Sequence, residues 1–567
     1  MLTGFSAGRW QVMPKRGVVA LLVLMCTPFL VTGCATEQAG KPVGEVVTEA
    51  PVGAIRGKTM GDVSVYRGIP YALPPTGAGR WAPPKAVPDW EGEREALAFG
   101  PACPQPDAAL PGNIYATELG ATDEDCLSLN VWAPAHAEKA PVFVWIHGGS
   151  LTGGAGSLDM YDGARLAREQ GLVVVTINYR LGVLGYLAHP GLSAESEQGI
   201  SGNYGLMDQI LALEWVKRNI SAFGGDADNV TVAGESAGAL SVVMLMTSPK
   251  SKGLFDKAIA ESAYMVTMAA LKDQRNGLPS GEATGEALAQ KMGADDVEAL
   301  RAMSADKLVA LSRKAGYFPF PVIDGVYETG QMVEIFDKGE QAPVPVLAGF
   351  NEGEIRSLRF LLPPKPKNAE AYEAAIRNGY GDISDRFLEL YPSDNLDASM
   401  LATTRDAMYG WTAERLAASQ TVHGHPSFFY LFDHSYPAAD RLGLRAFHAS
   451  EIPYVFGTMK EAVAPWPEIP DTGTERALSA NMMSYWASFA RTGQPVADGA
   501  ADWPAYGNTA TGMVFAEQPQ SWDLLARERF DLHEEVVCRR RAAGNIPWNW
   551  NVGVLSPPLP PKEAACE

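Results

Sequence analysis

Positive charge is scarce in this chain. Lys and Arg total 46 against 66 Asp and Glu among 567 residues, a formal net charge of −20. Neither nucleic acid nor an anionic membrane surface finds an electrostatic footing on such a chain. Cysteine is scarce as well, at six. The G-x-x-x-x-G-K-[ST] pattern is missing, so the glycine-rich stretches do not read as phosphate loops. No Cys/His grouping completes a metal site. His423 and His425 stand two apart before the apolar run Ser427 to Phe432, but no further ligand lies near, and they read as loop residues. No metal and no organic cofactor is implied.

Apolar runs of bilayer length are lacking too. Val18 to Leu30, preceded by Arg9, Lys15 and Arg16, is too short for an ordinary membrane span. It reads as the apolar segment of an export signal, and it ends in Val31-Thr32-Gly33-Cys34. Small, small, Cys after such a run resembles a bacterial lipobox, where cleavage leaves the cysteine as a lipidated first residue. The expected division is a signal peptide at 1–33, a tether at 34–50 beginning with lipidated Cys34, a body at 51–546 and an extended tail at 547–567. The expected location is extracytoplasmic, in the periplasm or at the cell surface, with a lipid anchor in a bacterial membrane. That compartment permits disulfides. Cys103 and Cys126, which bracket a loop rich in Pro, Ala, Gly and Asp, are expected to pair, and so are Cys538 and Cys566.

What the chain does have is centred on Asn229 to Leu240, N-V-T-V-A-G-E-S-A-G-A-L. Val230, Thr231 and Val232 read as a short buried strand. Gly234-Glu235-Ser236-Ala237-Gly238 matches G-x-S-x-G, and an apolar, helix-like run follows from Ala239 to Met246. A strand–turn–helix context lifts the serine hydroxyl to the top of a sheet and aims the Ala237 N–H and the helix N-terminus at whatever it attacks. Taken alone, the pentapeptide also reads as a glycine-rich turn. A serine needs a base before it becomes a nucleophile, so the rest of the chain decides.

Upstream, Pro141 to Ile146 is a continuous apolar run, the mark of a strand covered on both faces. It runs into His147-Gly148-Gly149-Ser150-Leu151-Thr152-Gly153-Gly154, where glycines let backbone N–H groups turn toward a bound group. His147 reads as structural. Gly171 to Asn178 is another buried strand, and a helix runs from Asn203 through Asn219. Strands alternating with helices give an α/β chain with a mostly parallel sheet.

With E-D-C-L-S-L-N-V-W, W-I-H-G-G, N-Y-R-L-G, G-N-Y-G-L-M-D-Q, F-G-G-D and V-A-G-E-S-A-G in this order, the chain resembles the type B carboxylesterase family, which includes bacterial para-nitrobenzyl esterases and the cholinesterases. The resemblance spans about Ala50 to Glu535. It implies the α/β-hydrolase fold, a mostly parallel central sheet flanked by helices with cap insertions, and hydrolysis of a small-molecule ester through a serine acyl-enzyme. The cap is expected in the more helical stretches Met265 to Gln341 and Pro363 to Thr421.

In this fold the order is Ser, acid, His. The family places its acid five positions beyond a glycine matching Gly349, which implies Glu354; the family's usual D-E-G is here Gly353-Glu354-Ile355, so Glu352 stays open, and Asp324 reads as a turn residue. The family's base precedes an E-I-x-x-V-F-G run and maps to His448. The resemblance further implies an oxyanion hole from the N–H groups of Gly149, Ser150 and Ala237, a structural ion pair between Glu124 and Arg180, a supporting role for Ser262, and an acyl pocket lined by Tyr317 and Phe318. The loop between Cys103 and Cys126 has no Trp, so a cation–π cage for choline is not visible. The substrates expected are small or aryl esters. A non-catalytic adhesion or scaffold protein on the same fold is the rival reading, although Ser236, Glu354 and His448 are all in place; a carbamate, amide, thioester or polymer substrate is another.

Overall fold

The structure is a computed structural model and describes residues 44–107, 113–507, 511–523, 527–549 and 551–566. The expected signal peptide and Cys34 lie outside the described residues. Among the latter, no helix is long and apolar enough to cross a membrane.

One large sheet organises the described residues. Its strands are β1 (Gly44–Ala50), β2 (Gly53–Met60), β3 (Val63–Pro70), β4 (Glu93–Glu95), β5 (Ser128–Pro134), β6 (Ala140–Ile146), β7 (Val173–Ile177), β8 (Gly225–Glu235) and β9 (Lys257–Glu261). After a separate small pair, β10 (Ala269–Ala270) and β11 (Val322–Ile323), come β12 (Val346–Asn351), β13 (Ser427–Phe432), β14 (Thr511–Phe515) and β15 (Pro519–Asp523). The order across the sheet is β1-β2-β3-β5-β7-β6-β8-β9-β12-β13-β14-β15, with β4 on β2. From β7 through β14 every pairing is parallel; toward the margins the pairings are antiparallel, apart from the short β4, which lies parallel to β2. β6 and β7 are buried at every residue, as expected for strands with helices over both faces.

Several expectations are corrected by what the edges do. The tether was expected to run to residue 50, but Gly44–Ala50 is β1, paired with β2 from Gly44↔Thr59 to Ala50↔Gly53; the tight turn between Ala50 and Gly53 makes a hairpin there. The tail expected from residue 547 has no α-helix or strand among its described residues and is docked. Trp548 is buried, the Gly553 N–H donates to the Tyr380 hydroxyl at 2.8 Å, and Cys538 is bonded to Cys566. Glu124 and Arg180 do not pair with each other. Arg80 Nε donates to Glu124 at 2.7 Å, while Arg180 is bonded to fully buried Asp208 through Nε at 2.8 Å and Nη2 at 2.7 Å. A buried guanidinium needs a planar partner that can match its fork, and Asp208, on the helix Tyr204–Asn219, supplies it. Cys103 and Cys126 are bonded as expected.

The cap insertions have small cores of their own. Helices Gly281–Lys291, Val297–Arg301 and Ala305–Lys314 pack with Trp81, Leu184 and Tyr204. Helices Ala369–Tyr380 and Ser384–Leu390 pack on Leu532 and Val536 of the helix Arg527–Ala543.

Candidate active site

β8 ends at Glu235 and the helix Ala237–Thr247 begins two residues later. Ser236 makes the whole turn, at φ 55° and ψ −120°, a conformation that a non-glycine residue holds only when its surroundings impose it. The surroundings do so. A Cβ added to Gly234 would lie 2.6 Å from the carbonyl carbon of Gly238, and one added to Gly238 would run into the Ile146 carbonyl oxygen. The Ser236 N–H donates to the Glu261 carbonyl at 2.9 Å, tying the turn to β9.

The acid arrives from the next strand along. β12 ends at Asn351, and Glu354 opens the short helix Glu354–Ser357. Its carboxylate is fully buried. Oε1 accepts from the Asn351 N–H at 2.8 Å and the Ser262 hydroxyl at 2.7 Å, and Oε2 is hydrogen-bonded to Nδ1 of His448. Ser262 thus supports the acid. The Gly353 N–H donates to the Ala446 carbonyl at 2.7 Å, so the acid loop and the histidine loop are stitched together. Nε2 of His448 lies 3.1 Å from Oε1 of Glu235, close but without the alignment of a hydrogen bond. The imidazole therefore reaches the residue next to Ser236. No hydrogen bond joins the Ser236 and His448 side chains among the described residues; bonds of this kind often tighten only when substrate is bound.

The loop after β6 closes over the serine. A Cβ added to Gly148 would lie 3.2 Å from Cβ of Ser236. Gly149, at φ 106°, could not carry a side chain without striking the Gly153 carbonyl. The Gly149 carbonyl accepts from the N–H groups of Thr152 and Gly153, at 2.9 and 3.0 Å, which turns the Ser150 N–H, on the other side of the same peptide, the opposite way. Ala237 is the first residue of its helix, where an N–H has no intrahelical partner. Backbone N–H groups aimed at a developing oxyanion stabilise it. His147 is structural, as expected: it is buried, stacked on Tyr179 at 4.6 Å, and bonded at Nδ1 to its neighbour's carbonyl. Burial pulls its pKa down to about 4.

Other expected residues take other places. Glu352 is paired with Arg405 at 3.3 Å and does not serve His448. Asp324 is the turn residue that the sequence suggests: it accepts the N–H groups of Val326, Tyr327 and Glu328. Tyr317 donates to the Tyr186 carbonyl at 2.9 Å within the cap core, which is a packing role. Phe318 is exposed against Phe320. No described contact places either against Ser236.

A group of buried acids behind the triad was not anticipated. Glu235, Glu261 and Glu451 are all buried, as is Glu354. Burial, then the charges of Glu354 and Glu261, holds the Glu235 carboxyl well above the usual carboxylate range. Burial pushes Glu261 up to about 8, against the indole N–H of Trp486, which donates to it at 2.7 Å. Glu451, bonded to Asn351, is raised by burial and by the other acids. Each stands beside a residue singled out from sequence: Glu235 before Ser236, Glu261 before Ser262, Glu451 three after His448. Acids in otherwise apolar runs were the available signal.

A hydroxyl on a strained strand–helix turn, an imidazole oriented by a buried carboxylate and a loop of unpaired N–H groups define a serine hydrolase of the α/β-hydrolase fold. A model of the Carboxylesterase family matches residues 44–531, and the chain belongs to that family. It is 37% identical over 499 residues to a fumonisin B1 esterase of Sphingopyxis macrogoltabida, covering 85% of this chain and 88% of the relative. It is also 37% identical to a para-nitrobenzyl esterase of Bacillus subtilis, covering 80% and 91%. Among solved structures, a PNB esterase superposes with a TM-score of 0.74 at 33% identity, over 85% of this chain and 98% of that one. A Geobacillus stearothermophilus carboxylesterase gives 0.72 at 34%, over 85% and 99%. The protein is a serine carboxylic-ester hydrolase.

Proposed function

We propose that Ser236, His448 and Glu354 carry the hydrolysis through a covalent acyl-enzyme on small or aryl esters. The observation that carries the reading is the imidazole of His448, bonded to Glu354 at one nitrogen and reaching the residue beside Ser236 with the other. His448 Nε2 takes the serine proton as Ser236 Oγ attacks the ester carbonyl. The same nitrogen then gives that proton to the leaving alcohol, and in the second half it activates water to release the acid. Positioned proton transfer contributes about 10²–10⁴ in rate. Glu354 fixes the tautomer and stabilises the imidazolium. The N–H groups of Gly149, Ser150 and Ala237 receive the oxyanion, each donor being worth about 2.7–4 kcal/mol by analogy with other hydrolases.

The aryl preference is supported by the rings at the site. Tyr409 lies 5.2 Å from the His448 ring, with Tyr264 edge-on to it at 6.0 Å. The name of the Bacillus subtilis relative points the same way. We place the enzyme outside the cytoplasm, lipid-anchored through Cys34, on the strength of the N-terminal pattern together with two disulfides. The testing experiment is turnover of short p-nitrophenyl esters by the wild type and by Ser236→Ala. The wild type turns over and the variant does not; equal rates reject the mechanism. Intact mass of the protein from a bacterial envelope checks the anchor: an unmodified Cys34 rejects it.

A further inference from the structure

The loop closed by Cys103 and Cys126 lies outside the reacting groups, yet it touches the loop after β6, the His448 backbone and the helix that Glu354 opens. Its neck is pinned by the disulfide and by two backbone bonds, Ala102 N–H to the Ala121 carbonyl and Asp123 N–H to the Ala102 carbonyl, both 3.0 Å. From one arm of the neck, Gln105 grips Gly154 twice. Its Oε1 accepts the Gly154 N–H at 2.8 Å, and its Nε2 donates to the Gly154 carbonyl at 2.9 Å. Nε2 also donates to the Cys103 carbonyl at 3.0 Å, so the amide is anchored to the disulfide itself. Gly154 follows Gly153, whose N–H holds the Gly149 carbonyl and thereby turns the Gly149 peptide.

Further along the same loop, Tyr115 reaches the other side of the site. Its hydroxyl lies 2.9 Å from the His448 carbonyl oxygen, to which it donates, and 2.7 Å from the hydroxyl of Ser357. Ser357 is the last residue of the helix that Glu354 opens. The Tyr115 ring packs edge-on to Trp466 at 5.9 Å, and Trp466 packs on Phe447, the neighbour of His448, at 4.9 Å. Neither Gln105 nor Tyr115 contacts a reacting atom.

We propose that the two described arms of this loop, 103–107 and 113–126, form a positioning strap: Gln105 on one arm holds the oxyanion turn, Tyr115 on the other holds His448 against the Glu354 helix, and the Cys103–Cys126 bond ties the two arms together. The proposal rests on the catalytic reading given above. A rigid link between oxyanion donors and base matters because a displacement of about 1 Å between reacting groups costs on the order of 10²-fold in rate. The strap acts on kcat and on transition-state binding, and leaves ground-state binding alone.

The test uses the full chain carrying Tyr115→Phe, Gln105→Ala or the double change Cys103→Ser with Cys126→Ser. Competent sites are counted by stoichiometric titration with a p-nitrophenyl phosphonate, so misfolded protein does not enter the rate. Tyr115→Phe keeps the ring and removes the hydroxyl; kcat per titrated site falls about tenfold while KM stays within about twofold. Gln105→Ala weakens an aryl trifluoromethyl ketone, which places an oxyanion in the turn, by about the same factor as its loss in kcat/KM. The disulfide-free variant shows both losses, and adding Tyr115→Phe to it lowers kcat by less than the single change does, because the two share one function. If kcat per titrated site and ketone affinity stay within about twofold of wild type in all variants, with only the melting temperature lowered, the loop is merely structural and the proposal is overturned. Ser236→Ala, assayed alongside, must be inactive for the catalytic reading to stand; an active Ser236→Ala would overturn both claims, whereas a dead one beside unaffected strap variants overturns the strap alone.

Discussion

His448 stands between two buried carboxyl groups, Glu354 bonded at Nδ1 and Glu235 at 3.1 Å from Nε2. The two acids are not equivalent. Glu354 has its oxygens taken by a backbone N–H, a serine hydroxyl and the imidazole. Glu235 has no such set of donors among the described residues, and burial with nearby negative charge raises its pKa well above the ordinary carboxylate range. A neutral acid beside Nε2 leaves that nitrogen available to the serine proton; an ionised one would hold an imidazolium away from Ser236 and repel the developing oxyanion. Because the Glu235 pKa is raised, its charge is gained only as pH climbs. Wild-type kcat/KM should therefore decline at alkaline pH, and Glu235→Gln should decline less. Profiles from about pH 6 to 10 on both proteins check this; superimposable alkaline limbs would count against it.

Changing the acid on the other side has a different result. Glu354→Gln leaves a group of similar size but loses the acceptor that fixes the His448 tautomer. By analogy with the corresponding change in a serine protease, kcat should fall by about 10⁴. Glu352→Gln, whose parent carboxylate serves Arg405, should leave kcat within about threefold of wild type. Steady-state rates on one p-nitrophenyl ester separate the two acids.

The buried acid Glu261 links stability to pH. Its pKa is raised to about 8 by burial, while in the unfolded chain it titrates at about 4.3. Across that interval the unfolded state has lost the proton that the folded state keeps, so the folded state binds more protons and stability falls as pH rises. The contribution is whole below the unfolded value and is lost progressively up to the folded one, levelling off above it. Glu261→Gln can still accept from Trp486 and should gain stability over wild type by an amount that widens from about pH 5 to 8 and reaches a few kcal/mol. Urea unfolding at a series of pH values measures the difference.

Much of the site was legible in the sequence because its parts are steric or covalent necessities. The glycines flanking Ser236 stand where a Cβ has no room, and the apolar runs at Ala140–Ile146 and Val173–Ile177 are strands with no exposed face. Partner choice was less legible. Arg180 finds Asp208 and not Glu124 because a helix and a strand end meet there, a matter of tertiary geometry. The segment at 44–50 lacks strong hydrophobic character, and its pairing to β2 depends on a strand that the local pattern does not reveal. The docked tail likewise depends on Trp548 finding a pocket among distant helices.

That partner choice makes its own prediction. Arg180 and Asp208 are 4% and 0% exposed, so Asp208→Ala leaves a buried guanidinium uncompensated and should destabilise by about 3–5 kcal/mol. Glu124→Ala, at a pair that is more open, should cost less. Chemical denaturation of the two variants ranks them.

The central claim is a covalent intermediate on Ser236. Rapid mixing of the enzyme with p-nitrophenyl acetate, followed by acid quench and peptide mass analysis, measures it directly. A burst of p-nitrophenol stoichiometric with titrated sites is expected, with an acetyl group on the peptide carrying Ser236, both lost in Ser236→Ala. Turnover with no acetylated Ser236 at any time point, or an acetyl group on another residue that turns over at the steady-state rate, would contradict it.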